Sequence, residues 1–369
     1  MQSVIDAISS SSIEPRDYQK RVVTKVIDSF NNNHKSVMLN SPTGSGKTIM
    51  GLLAGKAMQQ TYDMGIAWVT MRRNLLLQAE EENTSKIGIK GIRFISMFDK
   101  NPPTVDSDGR KIGMLIVDEA AHDSTSSMIM IHGAIKPKHV LGLSATPYRT
   151  DNVKLCFSKV IRDIGIHQLI KQGYLSPYHL NTIDEWSVEK VVDTYLREPE
   201  KWGQSVMFWL READAIACRD LLRANGVTAE TVTAKTDRYA QIDAFKRGDV
   251  KVLTNMVILT EGFNYPGLQT VFVRDSSKGP TIQMAGRVFR KDSSIEFKQI
   301  VQSENTRWPM DRTATPAAAF VLKNGRWLSL TPSDKLKDVN EKFAAALVNA
   351  SSDFPNVLVA NKSRKMVWH

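Results

Sequence analysis

The eight residues Ser41–Thr48, SPTGSGKT, constrain this chain more than any other stretch. They stand between SVMLN, a short apolar run rich in strand formers, and KTIMGLLAGKAMQQ, whose spacing is helical. A glycine-rich turn that leaves a strand and opens a helix converges its backbone N–H groups on one point, and the helix N-terminus adds positive potential there. That is the context of a phosphate-binding loop. Thr43, Gly44, Ser45 and Gly46 form the cradle, Lys47 is placed for β- and γ-phosphates, and the Thr48 hydroxyl for Mg²⁺. Ser41 stands where the general pattern has its first glycine.

Around this loop the chain has a rhythm. From Ser36 to about Pro147, short β-rich runs (SVMLN, GIAWVT, IRFIS, GMLIVD, VLGLSAT) alternate with helical stretches, the signature of buried parallel strands with crossover helices. The pattern repeats from about Ser205 through SVMFWL, TAETVT, KVLTN and LQTVFVR. With 369 residues, more than one core absorbs, the chain reads as two doubly wound α/β domains in tandem. Their expected spans are 1–150 and 202–296, with a connecting segment at 151–201. Residues 297–369 read as a small C-terminal α+β appendage: a hairpin turning at Asn324 and Gly325, then a helix capped by Ser333. Leu336, Val339, Phe343, Leu347 and Ala350 are its packing stripe. Trp202, Trp209 and Phe289, so close to strands, are expected in the core. Trp308 and Trp327 are expected to pack under the hairpin, with a platform at a DNA junction as the alternative.

Apolar residues at 42% and charged residues at 24% exclude a largely disordered chain. Forty-nine Lys and Arg against 39 Asp and Glu give a net charge of +10, which favours a polyanionic partner, nucleic acid first. Cys156 and Cys218, far apart and without companion ligands, argue against a zinc site or a disulfide framework. No leader pattern opens the sequence and no window is apolar enough to cross a bilayer, so a cytoplasmic protein with no membrane partner is expected.

GMLIVDEAAHD supplies the second half of a phosphate site, because a strand ending in Asp118 and Glu119 sets two carboxylates at the sheet edge beside the loop. Asp118 is the candidate Mg²⁺ ligand through water, and Glu119 the candidate general base for an attacking water.

Six runs in order, RDYQ, VTMRRNLLLQ, DEAAH, SATPYR, TEGFNYPG and QMAGRVFR, resemble the motifs of superfamily 2 helicases and translocases from Pro15 to Lys291. Their wording is closer to the DEAH-like DNA group, with its UvsW-type phage helicases and Rad25-type translocases, than to the RNA pattern of the DEAD-box proteins. The resemblance implies two tandem RecA-like parallel-sheet domains closing on ATP and Mg²⁺. It implies that Arg16 and Gln19 read the adenine, that Gly262 and Asn264 contact the nucleotide, and that Arg287 and Arg290, with Gln283 in the same motif, act across the cleft as arginine fingers. His122, Ser144 and Thr146 would couple the nucleotide to nucleic acid. Thr70, Arg72, Arg73, Ser96 and Thr260 would grip DNA without regard to sequence. Two positions depart from the pattern: Ala121 precedes His122 in the second motif, and Asn264 stands where many relatives have Asp.

The implied activity is ATP-driven movement on, or remodelling of, duplex or branched DNA in replication, recombination or repair, in a bacterial or phage-infected cell. A monomer that also engages single-stranded DNA is compatible with it. An RNA-dependent ATPase is the alternative enzyme, and an ATP-gated nucleic-acid clamp with little turnover the alternative of another class.

Overall fold

The computed structural model describes residues 2–120, 125–145, 157–256, 259 and 263–330. Two sheets organise them. The first is built from β1 (Ser36–Asn40), β2 (Gly65–Thr70), β3 (Arg93–Ser96), β4 (Ile112–Asp118), β5 (His139–Ser144) and β6 (Lys159–Arg162). All pair in parallel, in the order β3-β2-β4-β5-β1-β6. The second contains β7 (Tyr178–Ile183), β8 (Ser205–Phe208), β9 (Ala229–Val232), β10 (Val252–Asn255), β11 (Thr270–Phe272), β12 (Lys298–Ser303), β13 (Ala318–Lys323) and β14 (Arg326–Ser329). Its order is β14-β13-β7-β12-β11-β8-β10-β9, parallel except for the β13–β14 hairpin.

Helices α1 (Gln2–Ser9), α2 (Asp17–Asn31), α3 (Lys47–Tyr62), α4 (Arg73–Glu82) and α5 (Thr125–Ile135) accompany the first sheet. The remainder are α6 (Ile166–Lys171), α7 (Val188–Arg197), α8 (Pro199–Trp202), α9 (Glu212–Ala224), α10 (Arg238–Arg247) and α11 (Lys278–Ala285). Strands β2 and β4 are buried at every position, as continuous apolar runs require when helices cover both faces. Helix α3 is buried from Ile49 to Gln59, so the phosphate loop is set on a rigid support.

The two-domain α/β architecture is as expected, but strands cross the boundaries drawn from sequence. Within the connecting segment, β6 joins the first sheet, where Asp163 just beyond it is held by Arg21 and Lys25 of α2 at 2.5 Å each. In the same segment β7 enters the middle of the second sheet. Past residue 297 there is no separate appendage among the described residues: β12 lies between β11 and β7, and the hairpin extends the sheet beside β7. The polar pattern KQIVQS hid β12, yet all six residues are buried because their side chains are satisfied internally. Asn181 donates to Gln299 at 2.9 Å, and Gln302 accepts from the Met310 N–H at 2.8 Å.

The hairpin turns where expected, with Asn324 at φ 50° and Gly325 at φ 73°, the left-handed pair a two-residue turn requires. The helix expected from Ser333 lies outside the described residues. Trp202, Trp209 and Phe289 are core residues. Trp327 packs edge-on against Trp202 at 5.8 Å and donates to Glu198 at 2.6 Å, while Trp308 donates to Thr313 at 2.9 Å. Trp327 is therefore engaged in packing, whereas Trp308 is part-buried, with the Lys278 ammonium over its ring at 4.9 Å. Trp202→Ala is expected to destabilise the protein by about 3–5 kcal/mol in chemical denaturation. A stacking residue on an open face would instead lose nucleic-acid affinity with its stability unchanged.

Candidate nucleotide site at the domain cleft

The phosphate loop leaves β1 and is shaped by its own side chains. Ser41 Oγ donates to Ser45 Oγ at 2.8 Å, Ser45 Oγ donates to the Pro42 carbonyl at 2.7 Å, and the Ser41 N–H donates to the Ser144 carbonyl at 3.0 Å. Gly44 and Gly46 sit at φ 80° and 77°, which turns the chain into the N-terminus of α3. No side chain caps that terminus, so its N–H groups are directed at the loop's concavity. Ser144 ends β5, the strand between β1 and β4, and therefore separates the loop from Asp118 by one strand width.

A cavity of about 350 Å³ opens here, and both domains line it. The first domain contributes Arg16, Gln19, Thr43, Gly44, Gly46, Lys47, Thr48, Asp118 and Glu119; the second contributes Asn264, Arg287 and Arg290. Gly286 makes the approach of the two halves possible, since a Cβ there would stand 2.1 Å from Thr43 Oγ1. Across the joint, Gly44 faces Leu175, whose neighbour Ser176 donates its N–H to the Phe289 carbonyl at 2.8 Å on the second-domain side.

Several of the polar atoms here are buried. Asp118 is buried, and one of its oxygens accepts the Glu119 N–H at 3.0 Å. Glu119 adopts φ 52°, unusual for a non-glycine residue, and its Oε2 is buried without a hydrogen-bond partner. Thr43 Oγ1 and Arg290 Nη1 are enclosed in the same way. Arg287 is buried, and its Nη1 donates to the Phe263 carbonyl at 3.2 Å. Burial, and then the neighbouring Arg287, pull the Arg290 guanidinium down to about 9, with Glu82 opposing the shift. A guanidinium stays charged at neutral pH, so that depression measures the solvation it has given up.

Other expectations are modified. The Gln19 amide donates to the Ser45 carbonyl at 2.9 Å and accepts the Arg16 N–H at 3.0 Å, so it braces the loop as well as facing the cavity. Tyr18 donates to the same Ser45 carbonyl at 2.6 Å, and Arg16 lies over the Tyr174 ring at 4.5 Å. Gln283 is buried on α11 and does not line the cavity. Ile13, Glu14, Ile49, Glu82 and Lys86, outside the motif runs, also line it, as do Leu75 and Gln78 from the end of VTMRRNLLLQ, to which no role was assigned. Lys298 was also unmarked. Fully buried, it donates to the Pro266 and Leu268 carbonyls at 2.6 and 2.7 Å and fixes the loop that carries Asn264; burial pushes its amine down to about 8.

Of the expected nucleic-acid contacts, Arg72, Arg73 and Ser96 come to one sheet edge, because β2 and β3 are paired with Thr70 opposite Ser96. Thr70 itself is only 1% exposed, enclosed where the chain turns from β2, and does not belong to the open face. His122, Thr146, Thr260 and Gly262 lie outside the described residues, as does Ala121.

Residues 12–101 match the family described as type III restriction enzyme, res subunit, and residues 187–292 match the helicase conserved C-terminal domain. Together the two matches cover just over half of the chain. The chain is 23% identical over 349 residues to IRC3 of Saccharomyces cerevisiae, named as an ATP-dependent helicase, covering 78% of this chain and 51% of that protein. It is 23% identical over 354 residues to helicase 22 of a Sulfolobus islandicus filamentous virus, covering 77% and 63%. A Haloarcula marismortui protein named DNA 3′-5′ helicase Rad25 is 23% identical over 321 residues, covering 74% and 50%. The chain thus spans about half to two thirds of the length of these relatives. Among solved structures, a Saccharomyces cerevisiae Dbp5 variant bound to RNA and ADP BeF3 aligns with a TM-score of 0.60 at 14% identity, covering 94% of this chain and 97% of that one. The type ISP restriction-modification enzyme LlaBIII bound to DNA aligns with a TM-score of 0.56 at 15% identity, covering 81% and 28%. At these identities the structural likeness establishes the fold, two RecA-like domains. With both matched families in chain order, the chain belongs to superfamily 2 of the helicases.

Proposed function

We propose that this chain is an ATP-driven motor that moves on or remodels duplex or branched DNA. The observation that carries the ATPase is the single cavity onto which Lys47, Asp118 and Glu119 of one domain and Arg287 and Arg290 of the other all open. The net charge of +10 and the likeness to a restriction-enzyme subunit and to a relative named as a DNA helicase support DNA as the partner.

The residues fit a Mg²⁺-bound triphosphate: an uncapped helix N-terminus, a lysine, two arginines, and buried polar atoms of Thr43, Glu119 and Arg290 without partners of their own. Thr48 and Asp118 would hold Mg²⁺, which when bound supplies charge neutralisation between the phosphates. The N–H groups at the start of α3 and the Lys47 ammonium bind phosphate oxygens. Glu119 orients the attacking water and takes its proton. Arg287 and Arg290 neutralise the charge that develops as the bond to the leaving diphosphate breaks. Because these two groups come from the second domain, hydrolysis requires a closed cleft, and closing and opening the cleft moves Arg72, Arg73 and Ser96 relative to the second domain.

ATPase measured with single-stranded DNA, duplex, forked DNA and RNA tests the reading: forked or duplex DNA should stimulate most. Stimulation by RNA alone would assign the motor to RNA, and negligible turnover with every polymer would make it a clamp. Lys47→Ala is expected to abolish nucleotide binding and turnover together, whereas Glu119→Gln should abolish turnover while still binding ATP in a fluorescent-nucleotide titration. Arg287→Ala should lower kcat by about a thousandfold, the scale of an in-cis finger. DNA affinity should fall steeply between low and physiological salt and be indifferent to sequence, as counterion release dictates; fluorescence anisotropy across a salt series measures it.

A further inference from the structure

Leu75, Gln78, Glu82 and Lys86 recur every three or four residues along α4 and the π-helical turn that continues it, and they form one wall of the nucleotide cavity. Gln78 Nε2 donates to Glu82 Oε1 at 3.2 Å, which orients the carboxylate. Arg290 opens onto the same cavity from the second domain. Its Nη1 reaches neither solvent nor a hydrogen-bond partner. Arg287, three residues before it, and Glu82 on the opposite wall line that cavity with it, the first a like charge and the second an opposite one; burial and then Arg287 lower the guanidinium's pKa, and Glu82 opposes them. The attraction acts across the cavity that both side chains line.

We infer that Glu82 is a positioning residue for Arg290. Its carboxylate, oriented by Gln78, offsets the repulsion between two neighbouring guanidiniums and keeps the second one turned into the cleft toward the place where a phosphoryl group gains charge. Two buried guanidiniums three residues apart repel one another, and a carboxylate on the facing wall lowers the cost of holding both at the cavity. A triphosphate carries more charge than one carboxylate and approaches more closely, so Arg290 transfers to it readily. The inference rests on the reading of Arg290 as a finger.

The test is steady-state ATPase of the full chain carrying Glu82→Gln, Glu82→Asp, Gln78→Ala, Arg290→Ala, or Glu82→Gln together with Arg290→Ala. Glu82→Gln should lower kcat about tenfold, the cost of a misplaced group rather than a lost one. KM for ATP should be unchanged or lower, since a negative charge leaves a cavity that receives an anion. Glu82→Asp should recover most of the rate, and Gln78→Ala should reduce kcat in the same direction. In the Arg290→Ala background, Glu82→Gln should have no further effect. An undiminished effect in that background, an unchanged kcat in Glu82→Gln, or a raised KM with kcat intact would overturn the inference and leave the finger assignment standing. An unchanged kcat in Arg290→Ala alone would remove the finger assignment, and this inference with it.

Discussion

A buried polar group must find a partner, and at the cleft of this protein three of them point at one space. Thr43 Oγ1, Glu119 Oε2 and Arg290 Nη1 come from the phosphate loop, the end of β4 and the segment after α11, and none is satisfied by the chain itself. The rest of the architecture serves to bring them together. Parallel strands deliver loop and carboxylates to the same edge of the first sheet, and Gly286 lets the second domain come within touching distance of Thr43. On the proposed reading, a polyphosphate entering the cavity would meet all three, and ligand binding would then be coupled to domain contact.

The joint between the domains is tied to the phosphate loop by one short stretch of chain. Tyr18 and Gln19 both donate to the Ser45 carbonyl, so the start of α2 braces the phosphate loop from behind. Arg16, one residue before that helix, lies over Tyr174, which leads directly to the Phe289 carbonyl through Ser176 and on into β7. Loop geometry and the approach to the second sheet thus share one set of side chains.

Much of this was legible in the sequence, for a physical reason. Strands β2 and β4 read as continuous apolar runs because helices cover both faces, and the glycine-rich turn and the acidic strand end need particular residue types. Nine of the expected runs became strands close to where they were read. What escaped notice was polar. KQIVQS and YHLNTI alternate or carry amides, and only the finished sheet shows that those amides pair with one another and that Lys298 is capped by carbonyls. The wall formed by Gln78 and Glu82 was equally hidden, because a helix presents the same spacing to a cavity as to solvent.

Glu119 carries a consequence of another kind. A glutamate held at φ 52° gives up about 1–3 kcal/mol relative to a residue that accepts that backbone without strain. Glycine would relax it, and the fold would gain; the carboxylate would be lost. The chain therefore sits below the stability its own backbone permits, at the position where its proposed chemistry is concentrated. A search for stabilised variants of this protein would drift toward glycine there and select the activity away, so thermal stability and turnover are opposed at a single residue rather than across the molecule.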